Sequence, residues 1–297
     1  MSMKTFSTQN RLTSVLVAGL LLCAEALSQV PQAPPLPLLR VPRPSQGAKI
    51  TQVVGLSDVT INYHRPGVKG REIWGGLLPY DAVWRAGANE PTLFTFSDDV
   101  TIAGKKLAAG TYRFVVIPHK MGAWTLVFNA EVKNWGTIYE EKYDTLRFDV
   151  KPETGAPEEW MSFSFTDLGP TSATCVLAWE KVRLPFKIEF NLLAKLQASM
   201  GNAGLLSNAA RYALDNGIYA KEAMDWIDRS IALDRNFSNL RTKAELLAGA
   251  GKTQEAIAIA EEGLKMIKAR DPKTISPAQQ GQIADTERKL AEWKSKK

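Results

Sequence analysis

The chain has 297 residues, of which 45% are hydrophobic and 23% charged, so it can bury a core of ordinary size, and its length predicts about two domains. The formal net charge is +6, and no segment has the dense basic stripe of a nucleic-acid-binding protein, so we expect no nucleic-acid partner. Two histidines and two cysteines are too few for a zinc site of the usual type, and we expect no metal and no cofactor.

The N-terminal segment 1–28 has the pattern of a signal peptide. Lys4 and Arg11 precede the apolar run "LTSVLVAGLLLCAEA", which is too short for a convincing membrane span. Small residues follow, so we expect cleavage near Ser28, with a second plausible site after Ala26. The pattern predicts an exported protein, periplasmic or extracellular, with no transmembrane segment in the mature chain.

The two cysteines have different interpretations. Cys23 lies in the apolar run of the signal, but Leu22 stands where a lipidated cysteine has a small residue, which argues against lipidation. Once the signal is removed, Cys175 is the one cysteine left and cannot form an internal disulfide. It lies among alternating apolar residues in "SATCVLAWE", so we predict a buried core residue and not a nucleophile.

A proline-rich linker is predicted over residues 29–48. The stretch "VPQAPPLPLLRVPRPSQGAK" holds many of the 16 prolines of the chain. Prolines at this density favour extended polyproline II structure without a packed core. The linker would connect the signal to the first folded domain.

Residues 49–190 are predicted to form an antiparallel β domain. Short runs such as "DVTINYH", "GTYRFVVIP" and "VRLPFKIEF" alternate apolar and polar residues, as half-buried strands do, and turn residues separate them. We expect eight or nine strands in a sandwich or barrel, and favour the β-sandwich. Pro185 lies inside the last run, which predicts an edge strand there.

After Phe190 the apolar period changes from 2 to about 3.6 residues, which predicts α-helices over residues 191–297. Four helical segments repeat with a spacing of 34 residues, marked by Gly217 and Gly251, and resemble tetratricopeptide repeats, although the early tryptophan of that family is absent. A last helix is expected from Ser276–Pro277. About three repeats are usually needed for a stable stack, so we expect the helices to pack on the β domain through "FNLLAKLQASM". We also expect a protein partner to bind the helices.

The longest predicted loop is "YHRPGVKGREIWGGLLPYDAVWRAGANEPT", and long loops in compact domains are often functional. Its arginines can bind carboxylate or phosphate in a bidentate manner, and its tryptophans offer faces for a sugar ring. We therefore predict an anionic or carbohydrate ligand. The candidate ligand-binding residues are Tyr63, Arg65, Lys69, Arg71, Trp74, Trp84, Arg85, Asn89 and Glu90.

Three functions stay open for this loop. The first is an exported binding or scaffold protein without catalysis, which we favour because no catalytic motif is recognisable. The second is a hydrolase of the cell envelope with Glu90 or His64 as general base. The third is a pure interaction scaffold, in which Arg65 and Arg85 pair with the loop's own acids, Glu72, Asp81 and Glu90, and the tryptophans only plug the end of the sandwich. His119 follows Pro118 and is interpreted as an exposed turn residue.

The region from Lys49 to Phe190 resembles a bacterial family known as domain of unknown function 2911. The family pattern is Y-x-R-P-x-x-K-G-R followed by G-x-L-x-P-Y-x-x-V-W-R-x-G-A-N-E, with "NWG" and "LAWEKVRLPFKI" further on. The first part corresponds here to Tyr63, Arg65, Pro66, Lys69, Gly70 and Arg71, and the second includes Pro79, Tyr80, Val83, Trp84, Arg85, Gly87, Ala88, Asn89 and Glu90. The resemblance implies export and no settled activity.

Overall fold

The computed structural model describes residues 41–295. The predicted signal peptide and residues 29–40 of the predicted linker lie outside this range. Within it, none of the helices combines the length and the apolar content that a membrane span requires.

Two antiparallel sheets form the N-terminal part of the described chain. One has six strands in the order β1-β2-β3-β6-β7-β8, and the other has four in the order β5-β4-β10-β9. The ten strands are β1 Gln46–Val54, β2 Ser57–Arg65, β3 Thr92–Phe96, β4 Val100–Ile102, β5 Lys105–Leu107, β6 Gly110–Ile117, β7 Trp124–Asn129, β8 Asp144–Val150, β9 Glu153–Thr166 and β10 Ser172–Phe190. The number exceeds the eight or nine expected, and the three residues of β5 are too few to show a clear alternation.

The first strand begins before the predicted domain start at Lys49. Gln46 is paired with Arg65 and Gly47 with His64, so the ladder with β2 extends into the segment predicted as linker. The proline content of that segment ends at Pro44, and from there the backbone N–H groups are available for pairing.

The buried faces of the two sheets share one hydrophobic core. Phe94 of β3 lies 6.1 Å from Phe186 of β10 and 5.5 Å from Phe163 of β9, measured between ring centroids. Cys175 is fully buried in this core, and its burial raises the pKa of the thiol well above its ordinary value. The interpretation of Cys175 as a core residue is confirmed.

Pro185 does not mark an edge strand, and that prediction is wrong. Its strand, β10, has β9 on one side and β4 on the other. The pairing with β9 ends at Arg183 and the pairing with β4 begins at Ile188. Pro185 lies between the two ladders, where its missing N–H removes no hydrogen bond.

Six α-helices follow the sheets in the described chain. They are α1 Leu192–Ser199, α2 Ala203–Asn216, α3 Ala220–Leu233, α4 Phe237–Gly249, α5 Thr253–Lys268 and α6 Pro277–Ser295. Gly217 and Gly251 follow α2 and α4 with φ angles of 64° and 77°, a backbone conformation that glycine adopts at little cost. The predicted start of the last helix is confirmed, because Ser276 and Gln279 cap each other's backbone N–H.

Helix α1 connects the sheets with the other helices. Lys195 donates to the carbonyl oxygen of Leu56 at 2.6 Å and forms an ion pair with Asp98 at 2.5 Å. On another side of the same helix, Leu193 and Leu196 pack against the core of α2 and α3. The predicted joining role of "FNLLAKLQASM" is confirmed.

Candidate functional site

The long loop between β2 and β3 is attached to both sheets. Near its start, Val68 N donates to the carbonyl oxygen of Glu159 in β9 at 2.8 Å. Further along, Trp84 and Val116 of β6 exchange two backbone hydrogen bonds of 2.8 Å each. The loop therefore spans from the four-stranded sheet to the six-stranded sheet.

Four tryptophans pack together beneath this loop. The ring of Trp74 lies 5.6 Å from Trp84, 4.7 Å from Trp124 and 5.8 Å from Trp179, and the rings of Trp84 and Trp179 are stacked at 5.6 Å. Two of the rings come from the loop, one from β7 and one from β10. Aromatic packing of this kind gives the loop a defined conformation. In the alternative hypothesis the tryptophans only plug the end of the β domain, and the packing of Trp74 agrees with that role.

A cavity of about 300 Å³ adjoins the tryptophan cluster. Two of the predicted cations, Arg71 and Arg85, line it. None of the described residues that line it is acidic. The other lining residues are Ser45, Pro66, Leu77, Leu78, Trp84, Gly87, Ala88 and Trp179. We call this space the arginine cavity.

The two arginines of this cavity differ in how they are bound. Arg71 donates to the carbonyl oxygens of Val68 at 3.1 Å and Gly67 at 2.6 Å, so part of its guanidinium holds the loop. Arg85 forms no ion pair within residues 41–295, and its Nε is buried without a hydrogen-bond partner there. Burial lowers the pKa of the Arg85 guanidinium below its ordinary value. Arg85 is therefore a partly desolvated cation without a counter-ion among the described residues.

The other predicted cations lie elsewhere. Arg65 donates from Nε to the carbonyl oxygen of Met161 at 2.8 Å and lines a separate cavity with Gln46 and Trp160. The ammonium group of Lys69 lies 5.9 Å from the Trp160 ring. The structure thus brings together two of the four basic side chains of the loop and not all four.

His64 and Glu90 line a third cavity. His64 Nε2 lies 3.3 Å from Glu90 Oε2, a geometry that suits an acid–base pair. Among the described lining residues, none is shared with the arginine cavity. The proposed bases and the arginines therefore face different spaces.

The remaining predicted residues hold the structure around these cavities. Tyr63 is buried, with its ring 4.9 Å from Phe163 and its hydroxyl accepting a hydrogen bond from Phe163 N at 3.3 Å. Asn89 donates to the carbonyl oxygen of Ser45 at 3.1 Å, which ties the loop to the entry of β1. In the described chain Arg65 and Arg85 form no ion pair with Glu72, Asp81 or Glu90. The ion-pair network of the alternative hypothesis is absent from these residues.

His119 is not simply an exposed turn residue, and that interpretation is wrong. Its Nδ1 lies 2.6 Å from Asp81 Oδ1 and its Nε2 lies 3.2 Å from Thr125 Oγ1. Thr125 in turn donates to Asp149 at 2.8 Å. His119 thereby fastens the loop to the turn between β6 and β7. Sequence reasoning missed this contact because Asp81 is 38 residues away.

Trp179 lines the arginine cavity but was absent from the predicted site. In the sequence it is one of the alternating apolar residues of a strand, which predicts only a core position. The structure has a register shift between Ala178 and Glu180, and Glu180 has a φ of 53°. Such bulges redirect side chains and are frequent beside functional sites. No local sequence signal indicates the bulge.

The segment "NWG" packs against Arg85 and Asn89 through Gly136. A Cβ atom at Gly136 would lie 2.6 Å from Cδ of Arg85 and 2.6 Å from the carbonyl oxygen of Asn89. The close approach of this segment to Arg85 therefore requires glycine.

We expect Gly136→Ala to destabilise the protein by about 1–3 kcal/mol, because the methyl group overpacks against the Asn89 backbone. Urea unfolding would measure the loss. Gly201→Ala is the matched control, because no atom lies within 4 Å of a Cβ at that position. Equal stability of the two variants would show that the segment moves away from Arg85 without cost.

The arginine cavity lies wholly within a region of recognised sequence similarity. Residues 45–188 match the family described as Protein of unknown function (DUF2911). The DUF2911 match confirms the resemblance noted from the loop motif and includes every described residue that lines the cavity. It ends before α1, and no family match supports the tetratricopeptide resemblance of the helices. Comparisons with curated proteins and with solved structures found no match.

Proposed function

We propose that this chain is an exported binding protein whose DUF2911 region takes up a small anionic ligand in the arginine cavity. The single observation that carries the proposal is Arg85, a partly buried cation with no ion pair in the described chain. A desolvated guanidinium without a counter-ion is unfavourable, and an anion that binds bidentately would offset this cost. The signal pattern of residues 1–28 supports export.

The architecture behind this proposal is a β-sandwich followed by a tetratricopeptide-like array. The shared core of the two sheets supports the sandwich. The glycines that follow α2 and α4, spaced by 34 residues, and the fully buried Ala210 and Ala223 support the repeat interpretation, because small residues let paired helices approach closely. We propose that these helices bind a segment of a protein partner.

The other two hypotheses are less well supported. A hydrolase needs its base near the group that holds the substrate anion, whereas His64 and Glu90 line a different cavity from Arg85. A pure scaffold with a structural loop would pair Arg85 with one of the loop's acids. Binding of an anion at Arg85 without catalysis agrees with the separate cavity of His64 and Glu90 and with the absence of an ion pair at Arg85 in the described chain.

We expect small anions to stabilise the wild-type protein and not the Arg85→Met variant. An anion at about 100 times its Kd should stabilise the fold by about 2.7 kcal/mol. Thermal unfolding with phosphate, sulfate, acetate and phenylacetate would measure the effect, and glucose would test a neutral sugar. Without ligand, Arg85→Met should unfold no earlier than wild type, because it removes a partly buried charge that has no ion pair in the described chain.

Arg229→Met is the matched control, since Arg229 is an exposed arginine on α3 that pairs with Asp225 at 3.5 Å. It should keep the response to anions. Stabilisation by glucose alone, or an unaltered anion response in Arg85→Met, would contradict the proposal.

A further inference from the structure

We infer that a second binding site, separate from the arginine cavity, lies around Trp160 of β9 and takes an acidic sugar. Gln46, Arg65 and Trp160 line a cavity of about 240 Å³, and none of these three residues lines the arginine cavity. We call it the Trp160 site. The inference goes beyond the proposed function, because it concerns Arg65 and Lys69, the two loop cations that lie away from Arg85.

The indole ring of Trp160 is open to solvent and supported by the loop. Trp160 is 42% exposed, whereas Trp179 on the neighbouring strand is 1% exposed. Trp160 forms a β-bridge with Gly67, and a Cβ atom at Gly67 would lie 3.1 Å from Cζ3 of the ring. The ammonium group of Lys69 lies 5.9 Å from the ring centroid. The site therefore offers an exposed apolar ring with a cation beside it, on which a flat ligand can pack.

Arg65 has donors that a ligand can reach. Its Nε donates to the carbonyl oxygen of Met161 at 2.8 Å, which holds the side chain beside β9. Neither of its terminal Nη groups has a hydrogen-bond partner within residues 41–295, and both remain accessible to solvent. In that part of the chain Arg65 forms no ion pair. Its guanidinium can thus bind an entering carboxylate through two parallel hydrogen bonds.

Gln46 adds an amide to the same space. It lies directly opposite Arg65 in the ladder of β1 and β2. Residues directly opposite each other in an antiparallel pair have their side chains on one face of the sheet. An amide side chain both donates and accepts hydrogen bonds, so it can bind a hydroxyl group in either role. The site thus combines an apolar ring, a cation and an amide.

A sugar ring with a carboxylate uses all three groups. Its C–H face can pack on Trp160, its carboxylate can pair with Arg65, and its hydroxyl groups can bind Gln46. A neutral sugar would leave the guanidinium unpaired, and an aromatic acid has no hydroxyl groups for the amide. The volume of about 240 Å³ lies below the range of most small-molecule sites, so a single sugar unit suits it.

The test compares glucuronate, glucose and benzoate by calorimetric titration of the full chain that carries Arg85→Met. This substitution removes the cation of the arginine cavity, so anions that bind there do not contribute. We expect glucuronate to bind about tenfold more tightly than glucose, which lacks the carboxylate, and than benzoate, which lacks the hydroxyl groups.

Each other result would overturn the inference in a different way. Glucose that binds as well as glucuronate would exclude a role for the charge, and benzoate that binds as well would exclude a sugar. If glucuronate bound to wild type but not to Arg85→Met, its site would be the arginine cavity, and the proposed function would stand alone. Binding of none of the three compounds to Arg85→Met would overturn the Trp160 site and leave anion binding at Arg85 to its own test.

Two further variants, made in the same Arg85→Met chain, test the residues of the site. Trp160→Ala should weaken glucuronate binding about tenfold, because the packing surface for the sugar ring is lost. Trp135→Ala is the matched control, since Trp135 is 51% exposed and lines neither cavity. Equal affinities of these two variants would contradict the role of Trp160, and circular dichroism would show that both are folded.

Arg65→Met should abolish the preference for glucuronate over glucose, a change that loss of the contact with Met161 alone would not cause. A preference that persists in this variant would contradict the pairing with Arg65. Should Arg65→Met not fold, the preference of the Arg85→Met chain among the three compounds still decides the ligand class.

Discussion

The Arg113→Met variant is expected to lose about 3–5 kcal/mol of unfolding free energy, because it removes a buried charge on which several polar groups depend. Arg113 lies on β6 and is 1% exposed. Its guanidinium donates to the carbonyl oxygens of Asn134, Trp135 and Ile138, and its Nη2 lies 3.5 Å from Glu131 Oε2. Burial lowers the pKa of Arg113, and Glu131 opposes that shift.

The effect of Arg113→Met should extend to ligand binding. The segment that Arg113 holds includes Gly136, which packs against Arg85 and Asn89. Without the guanidinium, three carbonyl oxygens lose their donor, so this segment should move away from Arg85. We expect the variant to lose the stabilisation by anions as well as its stability.

Urea unfolding and anion titration together check this prediction. Arg235→Met is the matched control, because Arg235 is 48% exposed and pairs on the surface with Glu262, which is 37% exposed. Exposed pairs contribute about 0–1 kcal/mol, so the control should be nearly as stable as wild type. If both variants lost similar amounts of unfolding free energy, Arg113 would contribute no more than an exposed ion pair does.

The second large effect is expected in the helices, where Glu245 joins three cations. Its side chain is 11% exposed and lies 3.0 Å from Arg211, 3.3 Å from Arg241 and 2.9 Å from Lys289. Lys289 donates a hydrogen bond to Oε2, whereas the contacts of Oε1 with the arginines are ion pairs without hydrogen-bond alignment. Glu245→Ala should therefore leave partly buried cations without a partner and cost about 3 kcal/mol.

The same cluster predicts acid sensitivity of the helices. Hydrogen bonds from Lys289, and then from Arg288 and Arg241, hold the pKa of Asp285 well below its ordinary value. A carboxyl group with a depressed folded pKa contributes stability that is fully present above its unfolded pKa of about 3.9 and is lost as pH falls toward the folded pKa. Thermal unfolding between about pH 5 and pH 2 should show a declining midpoint.

Asp285→Asn isolates this contribution, because asparagine does not titrate in that range. We expect the variant to be less stable than wild type at pH 7 and to show a flatter decline in acid. Asp225→Asn is the control, since Asp225 is 65% exposed and forms one surface pair with Arg229. If the thermal midpoint of Asp285→Asn declined with pH as that of the wild type does, other carboxylates would cause the acid sensitivity.

Much of the secondary structure could be predicted from local patterns. The alternation in "DVTINYH" and the small-residue spacing around Gly217 depend on neighbouring residues alone, so strands and helices follow from them. The edge position predicted for Pro185 was wrong, because it depends on which strands pair with β10. Pairing partners come from distant parts of the chain and leave no local pattern.

The candidate site likewise has features that local sequence predicts and features that depend on contacts between distant residues. The sequence by itself determined that the loop carries Arg71 and Arg85 beside tryptophans, and that the region from Lys49 to Phe190 resembles a family of unknown function. Only the tertiary structure decided that Arg65 and Lys69 face elsewhere, that Trp179 enters the cavity from β10, and that Arg85 has no counter-ion in the described chain. The physical reason is that convergence and pairing of side chains depend on how two sheets and their loops meet, and this is a property of contacts between residues far apart in sequence.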